Sequence, residues 1–177
     1  MHNCHSHTKR VRYLVSSGLV TVDFEGNVVK GRKKSLSELP MHIEIYKRRL
    51  GVQAIIHTHA TYATALAVAR ADLPIIIDES TIKLGGDVNV SEYAVAGTQE
   101  LARNVADVLG KKNAALITNH GCVIVGRSVE EALENMILLE YTAKIYVISK
   151  IIGSPQRLPE DAVTLEIDLF KSTYTTE

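Results

Sequence analysis

The stretch VQAIIHTHATYATALAVA, residues 52–69, contains the signals that decide the fold. It begins as a short apolar run typical of a buried strand, continues through His57 and His59, and becomes an alanine-rich pattern that predicts a helix. Side chains at positions i and i+2 of a strand project from the same face, about 7 Å apart along the backbone. We therefore expect the two imidazoles to point together from the strand end. Two unrelated polar residues at a strand end would give the same pattern, so the spacing alone is not specific.

Strands and helices alternate through the rest of the chain, which predicts one domain over residues 1–177 with a sheet covered by helices. The predicted elements are a hairpin over 18–31, a helix over 35–50 with Ser37 as its N-cap, strands over 53–57 and 73–77, a helix capped by Thr98, two strands flanking 119–121, a long helix from Ser128 to about Ile152, and a short terminal helix.

Composition excludes several classes of protein. The 177 residues carry 20 basic and 20 acidic side chains, and this balance argues against nucleic acid or an anionic membrane as a partner. The most apolar segment, residues 133–153, is interrupted by Glu140 and Lys144, so it does not predict a membrane span. With two cysteines and no signal-peptide pattern, we expect a soluble cytoplasmic protein.

A third histidine follows another apolar strand. His120 stands just before a glycine, where its side chain could emerge at the same edge of the sheet as His57 and His59. Three histidines with an open fourth position are typical of a catalytic zinc site, and imidazoles also accept manganese or cobalt. The amino-terminal cluster of His2, Cys4, His5 and His7 could bind a soft metal, but we interpret it as incidental because termini are commonly mobile.

Glu38 is the candidate for proton transfer. It stands at the start of a predicted helix, where the helix dipole favours a carboxylate, and His42 follows on the same helical face. A carboxylate beside a metal could act as a general acid and base. On the helix pattern alone, an ordinary acid near a helix cap explains Glu38 equally well.

Four ordered blocks, SELPMH, IIHTHATYATALA, LGGDVNVSEYAVAGTQELA and LITNHGCVIVG, together resemble the class II aldolase/adducin family, and most closely its L-fuculose-1-phosphate aldolase branch. The resemblance extends from about Leu19 to about Ile152. It implies an α/β fold of three α/β/α layers with a central, mostly antiparallel sheet, assembled as a homotetramer with active sites at the subunit interfaces. It also implies zinc ligands at His57, His59 and His120.

The resemblance further implies a reaction. A ketose 1-phosphate would be cleaved between C3 and C4 to dihydroxyacetone phosphate and a short aldehyde, with zinc stabilising the charge left at C3 so that no lysine Schiff base is needed. Glu38 would transfer the proton at that carbon, and Ser37, Gly85 and Gly86 would contact the substrate. Asp78 stands near the position of a tyrosine that the fuculose-phosphate branch supplies from a neighbouring subunit. Asp78 or Glu79 could replace it, although a polar strand end is an equally good interpretation.

Some positions depart from the family pattern. Members usually carry a longer segment ahead of the hairpin that grips the substrate phosphate, and residues 1–18 have no convincing counterpart of it. Leu36 stands where one of two phosphate-binding serines is expected. The alternatives are therefore a non-catalytic module like the adducin head, or an epimerase or dehydratase using the same metal site. Glu38 favours the aldolase, because the related epimerases typically carry aspartate in this block.

Overall fold

Six helices and two three-stranded sheets make up the described part of the chain, residues 2–4, 19–31 and 37–174 of a computed structural model. The strands are β1 (His2–Cys4), β2 (Val20–Val22), β3 (Val28–Lys30), β4 (Ala54–Thr58), β5 (Ala114–Ile117) and β6 (Gly121–Gly126). The helices are α1 (Leu39–Arg48), α2 (Thr61–Ala69), α3 (Asp78–Leu84), α4 (Gln99–Leu109), α5 (Val129–Ile152) and α6 (Glu160–Tyr174).

The larger sheet has the order β4-β6-β5, and both of its pairings are antiparallel. Its buried side chains alternate between two faces, as the pleat of a strand requires. On β6, Val123 and Val125 pack with α1 and α4, whereas Cys122 and Ile124 pack with α2 and α5. Helices therefore cover both faces, and the predicted α/β fold with a mostly antiparallel sheet is confirmed.

The predicted hairpin is present as β2 and β3, with β1 on the other side of β2. Asp23 stabilises its turn, because the backbone N–H groups of Glu25 and Asn27 donate to its Oδ1 atom at 3.0 and 2.8 Å. The helix caps predicted at Thr98 and Ser128 are also confirmed, each hydroxyl oxygen accepting a backbone N–H bond of 3.2 Å.

Two local predictions are wrong. Residues 73–77 do not form a strand: Leu73 makes a single bridge to Val88, and the N–H of Ile75 donates to the side chain of Asp87 rather than to a neighbouring strand. Ser37 does not cap α1, because Glu38 occupies the N-cap position and makes no side-chain cap bond there. The terminal helix is also longer than predicted, at 15 residues.

None of the helices in the described ranges is both long enough and apolar enough to cross a membrane, including the 24-residue α5. The side chains of the amino-terminal cluster of histidines and Cys4 lie outside the described residues, so the interpretation of that cluster stays a prediction.

Candidate metal and catalytic site

Three histidines converge at one end of the central sheet. His57 lies in β4, His59 follows its last residue, and His120 ends the turn that leads into β6. Their ring centroids are 4.9 to 5.2 Å apart, and one potential ligand atom from each lies within 4.8 Å of the others. The cause is register: Thr58 pairs with Cys122, which places the residue after β4 beside the residues before β6.

Glycine at position 121 permits this close approach. A Cβ atom there would lie 2.5 Å from the carbonyl oxygen of Thr58 and 2.8 Å from Cδ2 of His59. The preceding turn is closed by the N–H of His120, which donates to the carbonyl of Ile117 at 2.9 Å, while Asn119 adopts a left-handed conformation with φ of 55°. The turn before β6 therefore brings His120 close to His59, because the backbone of Gly121 lies directly against that of Thr58.

The tautomer of His57 follows from one backbone contact. Its Nδ1 atom lies 3.0 Å from the carbonyl oxygen of Cys122, and because a carbonyl only accepts hydrogen bonds, Nδ1 must carry the proton. The Nε2 atom then presents its lone pair. Burial lowers the pKa of His57 to about 3, helped by the nearby imidazoles of His120 and His59, so the ring is neutral at physiological pH.

This donor set fits a divalent metal ion. Neutral imidazole nitrogens are the usual ligands of zinc, with bonds of about 2.0–2.1 Å, which places tetrahedral ligand atoms roughly 3.4 Å apart. Small rotations of the three rings would bring their nitrogens from within 4.8 Å to that separation. A backbone carbonyl that orients a histidine through its other nitrogen is also typical of metal sites. Three histidines leave a fourth position for substrate oxygens.

Cys122 is not a further ligand. It is a free and fully buried cysteine whose thiol lies 3.5 Å from the carbonyl oxygen of Thr58. Burial, with a contribution from the charge of Glu140, raises the pKa of this thiol to about 12. Because metal binding and nucleophilic attack both need the thiolate, Cys122 acts as a core residue here.

Glu38 is buried on the helical layer that faces His57. Its side chain is only 4% exposed, and its Oε2 atom has no hydrogen-bond partner among the described residues. His57 pairs in register with Val123, which packs in the same cluster as Met41 of α1, so α1 covers the sheet face towards which His57 projects. His42 of α1 also acts electrostatically on His57, and burial lowers the pKa of His42 to about 4.

Ser37 precedes Glu38 and contacts the loop that leads into α4. A Cβ atom at Gly97, where φ is +80°, would lie 2.9 Å from the carbonyl oxygen of Ser37. The Ser37 side chain itself is exposed, which leaves its hydroxyl open to a ligand near Glu38.

Gly85 and Gly86 lie elsewhere. The N–H of Asn113 donates to the carbonyl of Leu84 at 2.9 Å, which places both glycines at the start of β5, the opposite end from His120. The ring of Phe170 also covers Gly85, only 2.5 Å from the position of a Cβ atom. The structure therefore does not bring Gly85 and Gly86 to the histidines of the same chain.

Asp78 is likewise occupied within its own chain. It begins α3 rather than ending a strand, and it lies close enough to Glu166 in α6 to raise the pKa of that carboxyl group. Burial and this neighbouring acid raise the pKa of Glu166.

Sequence reasoning missed Glu140 as part of this region. Its carboxylate accepts hydrogen bonds from the backbone N–H groups of Tyr62 and Ala63, at the start of the helix that follows His59. The available signal was a charged residue inside an otherwise apolar helix.

Comparison with known proteins places these features in a family. Residues 6–147 match the model of the class II aldolase and adducin N-terminal domain. The chain is 32% identical over 143 residues to a 5-deoxy-D-ribulose 1-phosphate aldolase of Bacillus thuringiensis serovar kurstaki, a match that covers 81% of this chain and 67% of the relative. It is 34% identical over 140 residues to an L-fuculose phosphate aldolase of Methanococcus maripaludis strain C7, covering 78% of this chain and 75% of the relative.

Solved structures share the same architecture. An L-fuculose 1-phosphate aldolase superposes with a TM-score of 0.84 at 39% sequence identity, and the match covers 89% of this chain and 74% of that one. The likeness therefore covers most of the fold described above.

Proposed function

Because the chain belongs to the class II aldolase and adducin family, we propose that it is a metal-dependent lyase that cleaves a ketose 1-phosphate by a retro-aldol reaction. One observation carries the proposal: three histidines from two chain segments converge on a single point, on the face of the sheet where α1 buries the Glu38 carboxyl group. Such an arrangement suits retro-aldol cleavage, because an ion held by the histidines would stabilise negative charge and a carboxyl group on the same face of the sheet would transfer a proton.

His57, His59 and His120 would hold the ion, and we propose zinc, with manganese or cobalt as the alternatives that imidazole ligands accept. The bound ion would supply positive charge next to the electron pair left on C3 when the C3–C4 bond breaks. The Nδ1–H bond from His57 to the Cys122 carbonyl keeps the other ring nitrogen available as a donor to that ion.

Glu38 is the proposed acid and base. In cleavage, the C4 hydroxyl loses its proton, the C3–C4 bond breaks to give an aldehyde, and Glu38 delivers a proton to C3 to complete dihydroxyacetone phosphate. In the reverse direction, Glu38 removes the same proton. A buried carboxyl oxygen without a hydrogen-bond partner in the described residues is suited to this exchange, since no competing bond holds its lone pairs.

A second group must accept the C4 hydroxyl proton. We propose Asp78 as the candidate in a site shared between copies of the chain, because it is exposed at the first position of α3. This assignment requires an assembly of several copies, and we propose a homotetramer. Ser37 is the proposed substrate contact beside Glu38.

The names of the relatives suggest two candidate substrates. L-Fuculose 1-phosphate would yield dihydroxyacetone phosphate and lactaldehyde, whereas 5-deoxyribulose 1-phosphate would yield dihydroxyacetone phosphate and acetaldehyde. Both substrates therefore share one product and differ only in the aldehyde, so a single assay covers both.

The test is release of dihydroxyacetone phosphate from each substrate by zinc-loaded protein, with the variants Glu38→Gln and Glu44→Gln. We expect Glu38→Gln to retain zinc and to lower kcat by about 10² to 10⁴, the usual contribution of general acid–base catalysis. Glu44→Gln is the matched control, because Glu44 lies on the same helix but pairs with Arg48.

Each other outcome has a distinct meaning. Full activity of Glu38→Gln would remove Glu38 from the reaction. Conversion of a pentulose phosphate without loss of carbon would indicate the epimerase or dehydratase reaction. A protein that binds no zinc and cleaves neither substrate would instead be a non-catalytic module.

A further inference from the structure

Helix α2 begins without a cap of its own. Its N-cap residue is Ala60, which has no side-chain oxygen, and its first turn contains no acidic residue. The first N–H groups of any helix have no partner within the helix, and when they are buried they need an outside acceptor. This helix starts only two residues after His59, so its first turn adjoins the candidate metal site.

Glu140 of α5 supplies the missing acceptor. The N–H of Tyr62 donates to both carboxylate oxygens, at 2.9 and 3.1 Å, and the N–H of Ala63 donates to Oε2 at 3.0 Å. A carboxylate is the best acceptor here, because its charge also interacts favourably with the positive end of the helix dipole. A residue 77 and 78 positions away in sequence thus caps the helix.

Lys144 adds to the same contact. It stands one helical turn after Glu140, and its Nζ atom lies 5.8 Å from the centre of the Tyr62 ring. Glu140 and Lys144 therefore hold the same first turn of α2. Glu140 binds its backbone, and Lys144 contacts the ring of Tyr62.

The position of this cap relates it to the histidines. Thr58 is fixed by the β4–β6 ladder, and Tyr62 and Ala63 are fixed by Glu140, so only three residues separate these two anchors. His59 is the first of these three, and its side chain is exposed, so burial contributes little to its orientation. The direction of the backbone at His59 therefore depends on where α2 begins.

We propose, on the basis of the proposed metal-dependent function, that Glu140 is a positioning residue that sets the orientation of His59 for metal binding by capping α2. It touches neither the ion nor the substrate. Its effect passes through the backbone of residues 59–63, in the way that residues behind metal ligands commonly tune affinity.

The experiment measures zinc affinity of the full chain by competition with a chromogenic chelator, the absorption spectrum of the Co²⁺-loaded protein, and the urea unfolding of the metal-free protein. The variants are Glu140→Gln, Glu140→Asp and Ser128→Ala. Ser128→Ala is the matched control, because it removes a side-chain cap of another helix at the far end of β6 from the histidines.

We expect Glu140→Gln to weaken zinc binding by about 10- to 100-fold, the range found for residues that orient metal ligands. Its amide nitrogen would face N–H donors, whereas Glu140→Asp keeps the carboxylate and should recover part of the affinity. The Co²⁺ spectrum should change in Glu140→Gln and stay unchanged in Ser128→Ala, although both variants unfold at lower urea concentrations.

Wild-type zinc affinity and an unchanged Co²⁺ spectrum in Glu140→Gln would overturn the inference and leave a merely structural cap, with the proposed metal site intact. If Glu140→Gln does not fold, Glu140→Asp decides: its shorter carboxylate should reach the two N–H groups less well and weaken zinc binding to a smaller extent, so wild-type affinity in Glu140→Asp would also overturn the inference. Absence of zinc binding by the wild-type chain would instead remove the proposed function, and this inference with it.

Discussion

At the scale of single residues, Gly121 allows the two segments that carry the candidate metal-binding histidines to approach each other closely. The backbone of Gly121 lies against Thr58 and the ring of His59, at separations that no Cβ atom tolerates. The backbone carbonyl of the next residue, Cys122, fixes the tautomer of His57. Gly121 and Cys122 are not candidate ligands themselves, yet Gly121 sets the position of His59 and Cys122 sets the tautomer of His57.

We predict that Gly121→Ala lowers zinc affinity at least tenfold, because its methyl group must displace Thr58 or His59. Equilibrium dialysis or chelator competition measures this. Gly153→Ala is the matched control: nothing lies within 4 Å of a Cβ atom there, so this substitution should leave zinc affinity unchanged. Equal affinity in the two variants would show that the close approach does not control the site.

The histidines themselves were predictable from their spacing and from their position at strand ends. The contacts that orient them were not, because the His57–Cys122 bond and the Gly121 contact depend on pairing between strands that are far apart in sequence. Glu140 was visible only as a charge in an apolar helix. Its acceptor role depends on the packing of α5 against α2, which no local pattern specifies.

At the scale of elements, α6 docks on α3 through one polar and one aromatic contact. The Glu166 carboxyl group pairs with Asp78 at the first position of α3, and the ring of Phe170 packs on Gly85 at its end. Glu166 is only 7% exposed. Burial and the neighbouring acid raise the pKa of Glu166, so the docking of α6 should depend on pH.

We predict that the free energy of unfolding falls as pH rises from about 4.5, the ordinary pKa of glutamate, through the raised pKa of Glu166. The folded protein holds this proton to higher pH than the unfolded chain, so unfolding releases it within that window. Glu166→Gln should abolish this part of the pH dependence, since its amide donates to Asp78 at every pH. Urea unfolding between pH 4.5 and 8 measures the difference.

Glu160→Gln is the control for that measurement, because Glu160 is an exposed acid in the first turn of the same helix. Its stability curve should run parallel to that of the wild type. A Glu166→Gln curve parallel to the wild type as well would contradict the assignment of this pH dependence to Glu166.

The same region shows where local patterns mislead. The apolar run over 73–77 predicts a strand, yet the Asp87 side chain takes the Ile75 N–H, and the hydroxyls of Ser80 and Thr81 donate to the Ile77 carbonyl as α3 begins. Side chains thus satisfy backbone groups that a strand would have paired. This competition depends on the loop at Asp87, ten or more residues downstream.

At the scale of the whole molecule, α5 presents an apolar face that the described chain leaves uncovered. Leu133, Ile137 and Tyr141 are spaced by four residues and are 46%, 58% and 58% exposed. A stripe of this kind on the outside of a helix is typical of a surface that is buried in an assembly. It is consistent with the proposed homotetramer.

We predict that Ile137→Lys reduces the mass of the assembly in solution, because a buried interface does not accommodate an unpaired charge. Light scattering coupled to size-exclusion chromatography measures the mass. Leu50→Lys serves as the control, since Leu50 is 83% exposed in the connection between α1 and β4 and should tolerate the charge. An Ile137→Lys protein with the wild-type mass would exclude this stripe from the interface.

The pairing of β4 with β6 also has a consequence for synthesis of the protein. His57 and the carbonyl that orients it are 65 residues apart, so a ribosome takes roughly 3 to 13 s to deliver the second after the first. During that interval the growing chain carries two of the three histidines of the candidate site but not the complete site. We therefore expect the newly made polypeptide to complete its candidate metal site only after β4 and β6 have paired.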